Sequence, residues 1–222
     1  MSHIYRTAFH QNSNVGLYGF ANNKLAIVSP YVATRTQKKM EEILGVPVIS
    51  TNICGTALVG IFVAGNDNGL IVPNMIQEHE LELLRKHIPV TVIDTKFTAL
   101  GNIVLCNNKA ALISPDLEDK KSEIKKALGV KRIEVRMIEE VETVGALATM
   151  TETHCLLSSM APEEDEEYIA NLFEVAVTRG TVNLGSPYVK SGLIVNNNGF
   201  VVGKQSGGPE TVMIDRALGF LE

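Results

Sequence analysis

The sequence has no tryptophan, and aromatic residues make up only 5% of its 222 residues. Its core must therefore be aliphatic, built from Ile, Val, Leu and Ala. It has few cysteines: Cys54, Cys106 and Cys155. The number is odd and no two are close, so neither a disulfide framework nor a zinc spacing is present, and a reducing cytoplasm is the expected setting. No His-x-x-x-His or Cys-x-x-Cys pattern points to a metal. The longest apolar run, 57–65, is far too short to span a bilayer, and the first six residues lack the apolar core of a secretory signal. An excess of basic charge is missing as well. Twenty Lys and Arg stand against 25 Asp and Glu, for a formal net charge of −5. A protein that held nucleic acid mainly through phosphates would carry a basic surface, so this acidic body suits a basic partner better. With neither a P-loop nor a strand-to-helix Gly-x-Gly-x-x-Gly fingerprint, no cofactor is expected.

What the sequence does have is repetition. Gly16-Leu17-Tyr18 leads through Asn22-Asn23 to Ile27-Val28-Ser29-Pro30. Gly60-Ile61-Phe62 leads through Asn66-Asp67-Asn68-Gly69 to Ile71-Val72-Pro73, and Gly101-Asn102-Ile103 through Asn107-Asn108 to Leu112-Ile113-Ser114-Pro115. Weaker copies begin at Gly145 and Gly192. A fixed period in this range means one supersecondary unit copied into an array or ring. No single copy could bury a sufficient core alone, so the copies must form one body.

The third copy reads most clearly. A strand of Ile, Val and Leu ends at Cys106, the Asn107-Asn108 turn reverses it, and Ala110–Ser114 returns. Asp116 reads as an N-cap and Gly129 as a C-cap of an amphipathic helix over 118–128, and a third strand follows over 130–135. Helices are predicted likewise near 34–44, 75–87, 162–173 and 208–218, with third strands at 47–50, 90–94 and 175–178. Each unit is thus a ββαβ module, with an antiparallel hairpin followed by a right-handed parallel crossover. The recurring helix excludes an all-β propeller, and the strands exclude a solenoid of helix pairs. The fifth copy lacks its third strand, while an orphan strand, 4–9, precedes the first hairpin. The N-terminal strand is therefore expected to complete the fifth module and close a ring. The modules run roughly 12–55, 56–97, 98–141, 142–187 and 188–222 plus 1–11, as a single α+β domain.

Three segments, Gly65–Asn74, Ala99–Asn108 and Gly180–Ser186, closely resemble the translation initiation factor 6 family, and the resemblance extends over essentially the whole chain. With no long C-terminal tail after the fifth helix, the chain looks like an archaeal member. The resemblance implies a pentein fold, with five modules about a pseudo-fivefold axis. It also implies a ribosome anti-association factor that binds the large subunit on its intersubunit face, against ribosomal protein uL14 and near the sarcin–ricin loop, as a monomer without cofactor or catalysis. By matching to the family, Asn102, Ile61, Leu147 and Tyr188 belong to the ribosome-facing surface.

Two other readings compete. Penteins include guanidine-modifying enzymes, which use a nucleophilic Cys near the chain end together with His and carboxylates. Here no Cys follows Cys155, and His154 points to the opposite strand face from it. A scaffold with no ribosomal role is the third reading. The residues after the repeat glycines are Leu17, Ile61, Asn102, Ala146 and Leu193. Asn102 alone is polar among them, which marks it for a local backbone bond or a specific contact.

Overall fold

The computed structural model describes residues 3–221. They form five three-stranded sheets. These are β2 (Gly19–Ala21), β3 (Ala26–Val28) and β4 (Val48–Ser50); β5 (Ala64–Gly65), β6 (Leu70–Pro73) and β7 (Val90–Ile93); β8 (Val104–Cys106), β9 (Ala110–Ile113) and β10 (Arg132–Val135); β11 (Ala148–Met150), β12 (His154–Ser158) and β13 (Ala176–Gly180); and β14 (Leu193–Asn196), β15 (Gly199–Gly203) and β1 (Ile4–Thr7). In each sheet the first strand is antiparallel to the middle one and the third is parallel to it. The helices bridging middle to third strands are Thr34–Leu44, Glu78–Arg85, Lys121–Leu128 and Glu163–Phe173. The fifth, Gly208–Ala217, follows β15.

The expected helix over 118–128 is shorter, and its start differs. Ser114, not Asp116, caps a 3-10 turn at Pro115–Lys120, accepting from the Asp116 N–H, and the α-helix begins only after Leu117 departs from helical geometry (φ −111°). Proline at the first position favours such a tight turn.

Each middle strand is buried on both faces, which explains its uninterrupted apolar sequence. Alternate side chains feed different cores. Ala26 and Val28 pack with Met40, Leu44 and Ile194, whereas Ile27 packs with Ile53, Leu70 and Leu84 of the next module. Phe200 and Val202 face one cluster and Val201 another. The core is therefore a ring of five clusters, each shared by neighbouring modules.

The hairpin turns tie the ring together. Asn107 Oδ1 accepts from the N–H groups of Lys109 and Ala110, both at 2.9 Å, while its amide donates to the Phe173 carbonyl at 3.0 Å. Asn66 caps its own turn in the same way and donates to the carbonyls of Asn107 and Leu128, both at 2.9 Å. Asn196 donates to those of Leu44 and Asn22. Phe173, Leu128 and Leu44 end helices, where carbonyls lack intrahelical partners. The residues beside these form a second closed chain, with backbone N–H groups donating from Asn23 to Asp67, Asp67 to Asn108, Asn108 to Glu152, Glu152 to Asn197 and Asn197 back to Asn23 at 2.8–3.3 Å.

At the other end of the first strands, backbones crowd about the axis. A Cβ on Gly60 would overlap the carbonyls of Gly16 and Gly19, and one on Gly101 those of Gly60 and Val63. A Cβ on Gly145 would strike Gly101 and Val104, and one on Gly16 would strike Lys190 and Leu193. The same pair of positions recurs each time. The fifth axial residue is thus Lys190, and the expectation of Gly192 is corrected: a Cβ there would meet Val182 instead.

The ring closes through β1, which pairs parallel with β15 from Ile4↔Phe200 to Thr7↔Gly203. Phe200 N–H donates to His3 O and Lys204 N–H to Thr7 O, both at 2.8 Å. His3 Nε2 lies 2.7 Å from Asp215 Oδ1, and its ring stacks on Phe220.

Candidate docking surface

The two ends of the ring differ chemically. Middle and third strands point toward the end that carries the axial crowding, so every loop leaving them lies there. Eight large hydrophobic residues are exposed among the described residues, and six of them sit in these loops: Tyr31, Met75, Met137, Met160, Leu184 and Tyr188. Tyr31, Met75 and Met160 occupy equivalent positions in three modules, and Tyr31 and Met160 are each 66% exposed. The opposite end presents the Asn, Asp and Glu turns instead. Exposed apolar groups gathered on one surface mark a contact region.

The loops are held firmly. Four of them turn through left-handed backbone at His10-Gln11, Cys54-Gly55, Glu139-Glu140 and Asn183-Leu184-Gly185. A carboxylate from a neighbouring helix start grips three of these turns. Glu80, fully buried, accepts from the N–H groups of Cys54 at 2.7 Å and Gly55 at 2.9 Å, and from Gln77 at 3.1 Å within its own capping box. Asp165 accepts from Glu139 N–H at 2.9 Å and pairs with Arg136 at 2.7 Å. Glu210 accepts from Leu184 and Gly185, both at 3.1 Å. Replacing Glu80 by Ala would leave buried donors unpaired, and is expected to cost about 3 kcal/mol of stability with a broadened 52–58 loop. Thermal unfolding tests this, and a midpoint within a degree of the parent would refute the role of the carboxylate.

Around the axis this end opens into a concave mouth of 470 Å³. Asn102, Tyr188, Leu17, Ala146 and Ser191 contribute to its wall. With Lys190 in the axial position, the residues that follow the axial ones are Leu17, Ile61, Asn102, Ala146 and Ser191, all half-buried. Asn102 is therefore one of two polar residues in this set, not the only one. Its backbone carbonyl accepts from Gly145 and Ala146 N–H, while its side-chain amide has no hydrogen-bond partner among the described residues. Tyr188 is 49% exposed. Leu147 departs from the expectation of a surface contact. At 1% exposure it packs with Leu105, Val144 and Leu157 in a core cluster, because the first strand of its module turns it inward.

Lys190 forms the floor of the mouth. Its Nζ donates to the carbonyl of Gly101, in a module that is not its neighbour, so the side chain crosses the axis. Beyond it lies a cavity of 90 Å³ lined by the inner strands and Cys106. Burial draws the amine down to about 8, with the nearby Cys106 acting in the opposite direction. Nothing in the sequence reading singled out Lys190. The signal was the spacing: each axial residue precedes its buried turn residue by the same interval, and Lys190, not Gly192, keeps that interval to Asn196.

The thiols are not activated. Burial raises Cys54 to about 11 and Cys106 and Cys155 to about 12, so all are protonated near neutral pH. Because unfolded cysteine ionises at lower pH, their burial costs stability on the alkaline side. No group of three His, Cys, Asp or Glu side chains among the described residues could hold a metal, and none of the described helices is long and apolar enough to cross a membrane.

The comparisons with known proteins agree with this architecture. The model of the eIF-6 family matches residues 4–217. The chain is 39% identical over 221 residues to translation initiation factor 6 of Staphylothermus marinus, covering 97% of each. It is 36% identical over 220 residues to that of Saccharolobus islandicus, covering 97% of this chain and 99% of the other. Among solved structures it is similar to a cysteine-to-serine mutant of DDAH from Pseudomonas aeruginosa complexed with citrulline. The TM-score is 0.51 at 16% identity, over 77% of this chain and 69% of that one. That likeness concerns the fold, which is the pentein arrangement of five repeats.

Proposed function

We propose that this chain, which belongs to the eIF-6 family and has a role in translation initiation, binds the large ribosomal subunit on the face that meets the small subunit and keeps the two apart. The observation that carries this reading is the one-sided surface: six exposed apolar side chains on stiffened loops around a shallow mouth, with no activated thiol beside them. A rigid disc of this kind acts by occupying space, and needs no chemistry. The loop end also carries exposed acids, Glu140 and Glu142, suited to a basic ribosomal protein such as uL14 and ill suited to wide contact with phosphates. Contact with RNA near the sarcin–ricin loop would then be confined to the rim.

Sedimentation of purified subunits tests the reading. Adding the protein should move material from joined ribosomes to free large subunits, with the protein co-sedimenting; unchanged profiles without co-sedimentation would refute it. Within the mouth, Asn102→Asp puts a charge where a free amide stands. It should weaken binding about tenfold or more while leaving the unfolding transition in place. Equal co-sedimentation would remove Asn102 from the surface, and loss of folding would return it to a structural role.

A further inference from the structure

Four modules place glycine at the axis, and the fifth places a lysine there. A plain structural filler would be apolar. Lys190 instead carries a cation to the base of the mouth, where its one hydrogen bond goes to a neutral carbonyl. It forms no ion pair among the described residues, although nine other His, Lys or Arg contacts with carboxylates do occur. Two of its three ammonium protons are thus left without a partner among the described residues. Lys190 shares the lining of the mouth with Gly16, Gly60, Leu17 and Ala146 and with the neutral polar side chains of Asn102 and Ser191, and its other close neighbour is Cys106 on the inner side.

From this we infer that the mouth receives an acidic side chain from a protein on the large subunit, whose carboxylate pairs with Lys190. The inference rests on the proposed ribosome docking and adds the chemistry at its centre. A carboxylate on a flexible stem can reach a single cation at the floor of this mouth. A backbone phosphate, flanked by two riboses, would have to bring those sugars between Tyr188 and Leu17, at the end that also exposes Glu140 and Glu142. In the free protein the amine is held partly desolvated, and its reduced basicity accords with a cation that lacks its counter-charge. Pairing would satisfy its remaining donors and fix the register of the disc on the subunit, which is what buried charge pairs at interfaces do best.

Two variants isolate the charge. Lys190→Met keeps the length of the side chain, and Lys190→Gly restores the residue that the other four modules use, so both should fold. Affinity for purified large subunits is expected to fall about tenfold or more in each. Carbodiimide treatment of the wild-type complex should join Lys190 to an Asp or Glu of a ribosomal protein, as identified by peptide mass. If the wild type does not bind, the ribosomal reading itself fails and this inference with it. If the wild type binds and both variants bind equally well, the inference alone is overturned. Loss of affinity in the variants without a protein cross-link, but with an ultraviolet cross-link from the mouth to RNA, overturns it in favour of a phosphate.

Discussion

Deleting residues 1–7 is expected to abolish the folded ring. The segment carries β1 and His3, and without it β15 is left as an edge. The N–H groups of Phe200 and Lys204 lose their partners, Asp215 loses His3, and the fully buried Phe200 and Val202 are opened on one side. Since β15 feeds two cores, the damage reaches the first and fourth modules. The loss is comparable with the whole stability of a domain, about 5–15 kcal/mol, so the truncated chain should show no cooperative melt and should be digested quickly by protease. A permutation provides the control. Residues 1–11 moved by a short linker to follow Glu222 would supply the same strand after the fifth helix, as in the other four modules. The ends are close enough, since His3 stacks on Phe220 with ring centroids 5.1 Å apart. That variant should melt near the parent. A deletion that still unfolds cooperatively within a few degrees of the parent would sink the idea that β1 closes the ring.

A single methyl group at the axis should be nearly as damaging. In Gly60→Ala the new Cβ falls on the carbonyl oxygens of Gly16 and Gly19. These are backbone atoms of the 3-10 turn Val15–Leu17 and of the start of β2, so no rotamer change relieves the clash. The short turns that carry the axial residues must spread, and their crowding is shared around the closed ring. A cost of about 3 kcal/mol or more follows, at the upper end of what overpacked cores show. Gly208→Ala makes the comparison, because its Cβ meets nothing within 4 Å and helix formation favours the change. Urea unfolding of the two should therefore move in opposite directions. Equal midpoints would mean that the axis yields more easily than its geometry implies.

Much of this architecture is legible in the sequence. The Asn-rich turns, the Ser-Pro and Pro stops and the amphipathic stretches mark five modules, because hairpin turns and helix faces are dictated locally. Closure could be read from an orphan strand before the first module and a missing third strand in the last. The axis could not be read by its glycines alone: Gly192 lies near the repeat register but sits off the axis, and the true fifth residue has a different side chain. Matching to relatives does not reveal the burial of Leu147, which is decided by its place just before β11, where its side chain joins the cluster of Leu105, Val144 and Leu157. The grips by Glu80, Asp165 and Glu210 were invisible for a different reason. Each joins a turn in one module to a helix of the next, and only the folded ring brings them together. Lys190 combined both difficulties, being a departure from the repeat whose partner, Gly101, lies across the axis.

The pairing of β1 with β15 also sets a schedule. His3 waits for a partner 212 positions later in the chain. At about 5–20 residues per second of synthesis, the opening strand spends tens of seconds outside the tunnel before β15 and the last helix emerge. Until β15 has been made, any nascent intermediate must therefore carry an unfinished fifth sheet and an opening strand with no edge to join.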